Sequence, residues 1–182
     1  MRALGPGSVS SLLKTALDVA YVILWITAVG VLLGLVASLV LAPFMNQLGD
    51  EATVTINSRT YRDLTRYSPL IATALTSLLI YLAGLVAIVG RLRQVFATLI
   101  AGDPFQPENV IRLRFIGAVL AGLLILGYAA PALMAVLFPD ALDDDFNLSF
   151  NPTSWFAVLV VFVLAEVFRE GARLRGEAEL TI

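Results

Sequence analysis

Glu166 is the side chain of this protein that is most able to do chemistry. It is a carboxylate near the end of a long apolar stretch. An ionised group inside a bilayer is costly, and a glutamate in such a place suggests proton or ion coupling. Arg169 follows three residues later, which is the spacing of neighbours on a helix. Arg112 and Arg114 are expected to enter the bilayer on the same side. We therefore favour a structural ion pair for Glu166, with coupling as the alternative.

Other reactive groups are scarce. The chain has no cysteine and no histidine, which excludes disulfides, thiol chemistry and the usual zinc ligand sets. The commonest general base is therefore missing, and no second buried acid accompanies Glu166 to form a relay. Asp143–Asp145 lack the spaced oxygen ligands of a calcium loop, so we interpret them as a solvated turn. We predict no catalytic, cofactor or metal site and no enzymatic activity.

The elements that must position these residues are long apolar segments. The chain is 59% hydrophobic and 14% charged, whereas soluble domains carry about 25% charged residues. About 20 apolar residues cross the hydrocarbon core of a bilayer, and four segments have this character: about 16–45, 68–90, 115–138 and 152–168. Backbone groups find no water in lipid, so each segment should be helical. The sequence predicts an all-α bundle of four transmembrane helices that forms a single membrane domain over residues 1–182.

The distribution of basic residues predicts the orientation of the bundle. Nine of the twelve lie in the N-terminal flank, in the middle loop 91–114 and in the tail 169–182. Because basic residues near helix ends stay in the cytoplasm, both termini are expected to be cytoplasmic. The connection between the first two helices would then be outside. There Val54 and Ile56 alternate with polar residues before Asn57-Ser58, which predicts a short extracytoplasmic β-hairpin.

The first predicted helix carries one small residue per turn at Gly30, Gly34 and Ser38. Small residues allow two helix backbones to approach closely. We favour packing of this stripe inside the bundle, with Ala118 and Gly122 of the third helix as the partner. The alternative is a homo-oligomer, which could also build a small transporter or channel.

The tail after Glu166 combines charge with apolar side chains. On a helix, Arg173 would pair with Glu177 and Arg175 with Glu179. Apolar and small residues form a stripe along the same helix, and the chain ends on further apolar side chains: Val167, Gly171, Leu174, Ala178, Leu180 and Ile182. Two interpretations are equally weighted. The tail docks against the protein's own middle loop, or it is a binding surface for a cytoplasmic partner.

Two motifs of the chain resemble a widespread bacterial family, domain of unknown function 2975. The first is Leu99–Phe105 with Asn109 and Arg112–Gly117, and the second is Glu166–Leu174 with Glu177–Ile182. Gly176 stands where the resemblance leads us to expect an acidic residue. The resemblance implies a four-helix protein of the bacterial inner membrane with no assigned activity. Members are often encoded beside a small helix-turn-helix regulator of the Cro/C1 type, which implies a membrane tether or signal-responsive antagonist of such a regulator.

These observations lead to a functional hypothesis. We expect a non-enzymatic membrane tether or sensor that binds a helix-turn-helix transcription regulator through its middle loop and tail, with a small oligomeric transporter or channel as the alternative. The lipid bilayer accounts for the cytoplasmic basic residues, so direct nucleic-acid binding is not expected. The residues predicted to form the cytoplasmic contacts are Gly102, Pro104, Phe105, Asn109, Arg112, Arg114, Glu166, Arg169, Glu170, Arg173, Leu174, Leu180 and Ile182.

Overall fold

The computed structural model of the protein describes residues 9–47, 54–56, 59–61, 64–137 and 151–179. It contains four helices and two short strands, in the order α1 Val9–Gln47, β1 Val54–Ile56, β2 Arg59–Tyr61, α2 Leu64–Ile100, α3 Pro107–Leu137 and α4 Pro152–Glu179. The two strands pair antiparallel, with Thr55 opposite Thr60. The predictions for Asp143–Asp145, Leu180 and Ile182 lie outside the described residues.

Three of these helices are long and apolar enough to cross a membrane, over Leu12–Leu41, Ile71–Ile100 and Pro107–Leu137. The protein is therefore an integral membrane protein with a helical fold. The prediction of four spans is met only in part, because α4 is not among the three. Its uninterrupted apolar run, Trp155–Ala165, has eleven residues, about half of what a bilayer requires.

The middle loop predicted over 91–114 is mostly helical. α2 continues past Gly90 for ten residues, and its 37 residues correspond to about 55 Å of helix. Gly102 then ends it with a φ of +82°. The amide of Gly102 donates to the carbonyl of Leu99, at 3.1 Å, and that of Asp103 to Thr98, at 3.0 Å. These two bonds form a Schellman cap, in which glycine adopts the left-handed conformation without steric cost.

The chain divides into two compact units. One contains Met1–Trp25, Ala83–Ile125 and Ser149–Ile182. In this unit Leu113, Ile116 and Ala165 are buried together, and Leu92 and Phe168 pack against them. The helices approach closely at two glycines. Leu123 occupies the space beside Gly84, and the ring of Phe162 occupies the space beside Gly117. α4 therefore packs along the first half of α3.

The other unit contains Ile26–Leu82 and Leu126–Leu148. A groove of about 400 Å³ runs between α2 and α3 in this unit, with Thr73, Thr76 and Ser77 on one wall. Two of these hydroxyls are already used, because Thr76 donates to the carbonyl of Ala72 and Ser77 to that of Thr73, at 2.7 and 2.9 Å. The groove therefore presents mainly methyl and methylene groups.

The glycines of the small-residue stripe in α1 have open space beside them. No described atom lies within 4 Å of a Cβ built on Gly30 or Gly34, and the same holds for Gly122. The hydroxyl of Ser38 donates to the carbonyl of Leu35 in its own helix, at 2.8 Å. The packing of this stripe against Ala118 and Gly122 stays a prediction, because the two sets of residues belong to different compact units. Small side chains permit a close approach but do not determine which helix makes it.

Candidate interaction site at the tip of the α2–α3 hairpin

The candidate site, called the tip site below, consists of the connection Ala101–Gln106, the first two turns of α3, Pro107–Arg114, and the second half of α4, Glu166–Glu179. Asn109 organises the connection, and its side chain is fully buried. Its Nδ2 donates to Thr98 Oγ1 (2.6 Å) and to the carbonyl of Pro104 (2.9 Å). One amide therefore ties the end of α2, the connection and the start of α3 together. A buried amide that is satisfied in this way specifies a single conformation.

Arg112 also belongs to this network. Its Nη1 donates to Oδ1 of Asn109 at 2.7 Å. Of the two arginines expected near Glu166, Arg114 is the one that contacts it, whereas Arg112 contacts Asn109. Residues two positions apart on a helix differ by about 200° around the helix axis, so their side chains face nearly opposite sides. Because Arg114 faces α4, Arg112 faces the connection.

Glu166 lies between two arginines in the described structure. Arg114 Nη2 donates to its Oε2 at 3.4 Å, and Arg169 forms an ion pair with its Oε1. The side chain of Glu166 is 48% exposed. This geometry agrees with the favoured interpretation of a structural ion pair. Ion pairs with this much exposure contribute only about 0–1 kcal/mol to the free energy of unfolding. The main effect of Glu166 is therefore on the orientation of α4 against α3, and its effect on stability is small.

The second half of α4 docks against the connection. Gly171 lies under the ring of Phe105, so closely that a Cβ on Gly171 would be 2.5 Å from Cδ1 of the ring. The rings of Phe105 and Phe168 have their centroids 5.6 Å apart at an angle of 53°. The glycine allows the helix backbone to approach the ring. The interpretation that the tail docks on the protein's own middle loop therefore describes this structure.

An ion pair closes the same contact further along α4. Arg175 pairs with Asp103, whose other carboxylate oxygen accepts a hydrogen bond from Gln106 at 3.0 Å. We had predicted that Arg175 would pair with Glu179, whose side chain lies outside the described part of the structure. Local spacing alone missed Asp103, because this contact joins residues 72 positions apart.

A second charge cluster lies on the exposed side of α4. Arg173 donates to both carboxylate oxygens of Glu170 and, through Nη1, to Glu177 at 2.9 Å. The predicted pair of Arg173 with Glu177 is thereby confirmed. The hydrogen bond from Arg173 lowers the pKa of the Glu170 carboxyl, and the same bond raises the pKa of Arg173. Both groups therefore stay ionised at neutral pH.

Two large apolar side chains next to these contacts face outward. Ile111 on α3 is 70% exposed and Leu174 on α4 is 54% exposed. Both lie beyond the level of Arg114 and Glu166, towards the connection, so they extend past the charged ends of the apolar segments. An exposed apolar side chain at a membrane surface can contact lipid or another protein.

The sequence pattern of the family described as "Protein of unknown function (DUF2975)" matches residues 54–182. The chain belongs to this family. No curated protein and no solved structure matches it. The described residues of the two motifs that carried the resemblance lie in or next to the tip site, one motif on each side of the contact between the connection and α4.

One cluster of this DUF2975 protein was missed by the sequence analysis. Arg93 on α2 forms an ion pair with Asp18 on α1, and its guanidinium lies 4.5 Å from the ring centroid of Tyr21. A signal was present, since Asp18 is the last charged residue before the charge-free run that begins at Val19. A lone carboxylate at the edge of a bilayer is expected to have a cationic partner.

Proposed function

We propose that this protein is a non-enzymatic membrane tether or sensor, which binds a cytoplasmic transcription regulator of the helix-turn-helix class at the tip site. The observation that carries the proposal is the outward placement of Ile111 and Leu174 beside a fixed, charged scaffold. An apolar centre with a charged rim is the usual anatomy of a protein interface. Membership of a family without assigned activity leaves the partner to be identified by experiment.

The proposal includes four crossings, with both termini in the cytoplasm of a bacterial inner membrane. The contacts of α4 support the fourth crossing. α3 leads away from the connection, yet α4 ends beside it, because Gly171 contacts Phe105 and Arg175 pairs with Asp103. If α3 crosses the bilayer, α4 must bring the chain back. Close packing against α3 lowers the number of apolar side chains that α4 needs, since part of its surface never meets lipid.

The orientation can be tested with single cysteines, because the chain has none of its own. Ser58→Cys lies between β1 and β2, and Gly176→Cys lies near the end of α4, where nothing described is within 4 Å. In intact cells we expect a membrane-impermeant maleimide to label position 58 only. Position 176 should react only after the inner membrane is opened. Labelling of both positions in intact cells would overturn the four-span arrangement.

The partner can be tested by photo-crosslinking in cells that contain the full chain. A photoreactive phenylalanine analogue replaces Leu174, and the matched control replaces Leu159, which is 61% exposed within the apolar run of α4. We expect position 174 to crosslink a soluble helix-turn-helix protein and position 159 to crosslink none. Crosslinks to lipid alone at position 174, and at position 111 when the analogue replaces Ile111, would refute the tether.

A small oligomeric transporter or channel remains the alternative proposal, with less support. The polar wall of the groove in the second unit has two of its hydroxyls committed to backbone carbonyls. Glu166 has two arginine partners. Proton or ion flux through liposomes that is lost in Glu166→Gln would reverse this preference.

A further inference from the structure

A polar cavity of about 320 Å³ lies between α1 and α2, away from the tip site. Lys14, Asp18 and Tyr21 line it from α1, and Arg93 and Gln94 line it from α2. All of these residues belong to the same compact unit. Neither motif that marks the family includes them, and the proposed tether does not use them.

The arrangement of charge in this cavity favours an anion. Arg93 uses its Nε for Asp18 and places its guanidinium over Tyr21. An arginine has five N–H donors, so both terminal amino groups of Arg93 remain. Lys14 lies one helical turn before Asp18, and no hydrogen bond or ion pair joins it to any described residue. Two cations and one carboxylate leave the lining with one positive charge, which a single monoanion neutralises.

The depth of the cavity identifies the kind of anion that it meets. Its α1 wall, from Lys14 to Tyr21, includes the start of the charge-free run at Val19, and its α2 wall begins at Gly90, where the apolar run of α2 ends. Tyr21 and Trp25 are in edge contact here, with centroids 6.4 Å apart. Tyrosine and tryptophan concentrate at the headgroup level of membranes. The cavity is therefore at the depth of lipid phosphates.

We propose that this cavity binds the phosphodiester headgroup of an anionic phospholipid such as phosphatidylglycerol. Lys14 and the free amino groups of Arg93 hold the phosphate, while the Asp18 ion pair and the Tyr21 ring fix the guanidinium. Basic pockets between membrane helices are a known way to bind anionic headgroups. A free phosphate has the same chemistry, but it lacks the acyl chains that this depth would anchor.

The test uses the full chain in mild detergent, with native mass spectrometry and thermal unfolding. We expect one phosphatidylglycerol to remain bound at low lipid ratios and to raise the unfolding temperature, whereas phosphatidylcholine does neither. Lys14→Gln should weaken binding about fivefold, the effect of one basic residue near a lipid surface, and Lys14→Arg should retain it. Lys14 is only partly buried and forms no hydrogen bond or ion pair with a described residue, so neither change should affect folding.

The matched control is Arg91→Gln, which removes the same charge two residues from Arg93. Arg91 does not line the cavity, and its Nη1 donates a long hydrogen bond of 3.4 Å to Oε1 of Gln94, a lining residue to which the proposal assigns no phosphate contact. Arg91 lies over the ring of Phe115, 5.1 Å from its centroid. We expect this variant to keep the bound lipid. An equal loss in Arg91→Gln and Lys14→Gln would mean general attraction to the surface and would overturn the site. Equal stabilisation by inorganic phosphate would overturn the lipid assignment in favour of a free phosphate.

Discussion

Two glycines of α4 provide a matched test of whether the tail docks on the tip. Gly171 and Gly176 both lie inside the helix Pro152–Glu179, and in an open environment either would gain about 1 kcal/mol of helix stability on replacement by alanine. They differ in their surroundings. A Cβ on Gly171 would meet Phe105 Cδ1 at 2.5 Å and Cε1 at 2.6 Å, whereas Gly176 has no described atom within 4 Å.

The magnitude follows from this difference. Carbon atoms in contact are about 3.5–4.0 Å apart, so the Phe105 ring would have to retreat by about 1 Å. Overpacking of this kind costs about 1–3 kcal/mol. Phe105 is partly exposed and can yield, which favours the lower end. We therefore expect Gly176→Ala to stabilise the α4 tail by about 1 kcal/mol and Gly171→Ala to range from no change to about 2 kcal/mol less stable.

The assay is hydrogen exchange of peptides that cover 166–179, measured on the full chain in lipid nanodiscs. Gly176→Ala should slow exchange about fivefold, because 1 kcal/mol changes a local opening equilibrium by about that factor. Gly171→Ala should give no slowing, or should accelerate exchange. In a Phe105→Leu background, however, Gly171→Ala should slow it. The same slowing from both glycine variants in the wild-type background would refute the docking contact.

Three further predictions concern the charges and the buried amide. Asn109→Ala should destabilise the protein by about 1–3 kcal/mol in denaturant unfolding, because it leaves buried partners unsatisfied. The coupling energy between Arg114→Glu and Glu166→Arg in a double-mutant cycle should be below about 1 kcal/mol, since the pair is half exposed, and a larger value would contradict that exposure. Arg173 lowers the pKa of Glu170. The contribution of Glu170 to the protection of the tail is therefore complete above the ordinary carboxyl pKa of 4.5 and is lost as the pH falls through the lowered value. The exchange rate of the tail should rise only in that acidic range, and it should rise less in Glu170→Gln.

The fold could be predicted from the sequence wherever the signal was local. The length of the apolar segments predicted the helices, and the i, i+4 spacing of Arg173 and Glu177 predicted their ion pair. The partners of Arg112 and Arg175 were missed because they depend on which side of a helix faces a neighbour. The angle of about 200° between Arg112 and Arg114 was available from the sequence, and it indicates that the two arginines face different neighbours. Asp103 was not available, since its contact requires the tertiary structure.

The docked tail also constrains how a partner could bind the tip. Two glycines weaken the second half of α4 by about 2 kcal/mol relative to alanine, and the Arg175–Asp103 pair is partly exposed and therefore weak. A partner of micromolar affinity gains about 8 kcal/mol, which is enough to displace the tail. If binding displaces the tail, Gly176→Ala must lower the affinity for the partner by about fivefold, the same factor by which it raises the protection of the tail. If the partner instead adds to the outer face at Ile111 and Leu174, that variant leaves its affinity unchanged or improves it.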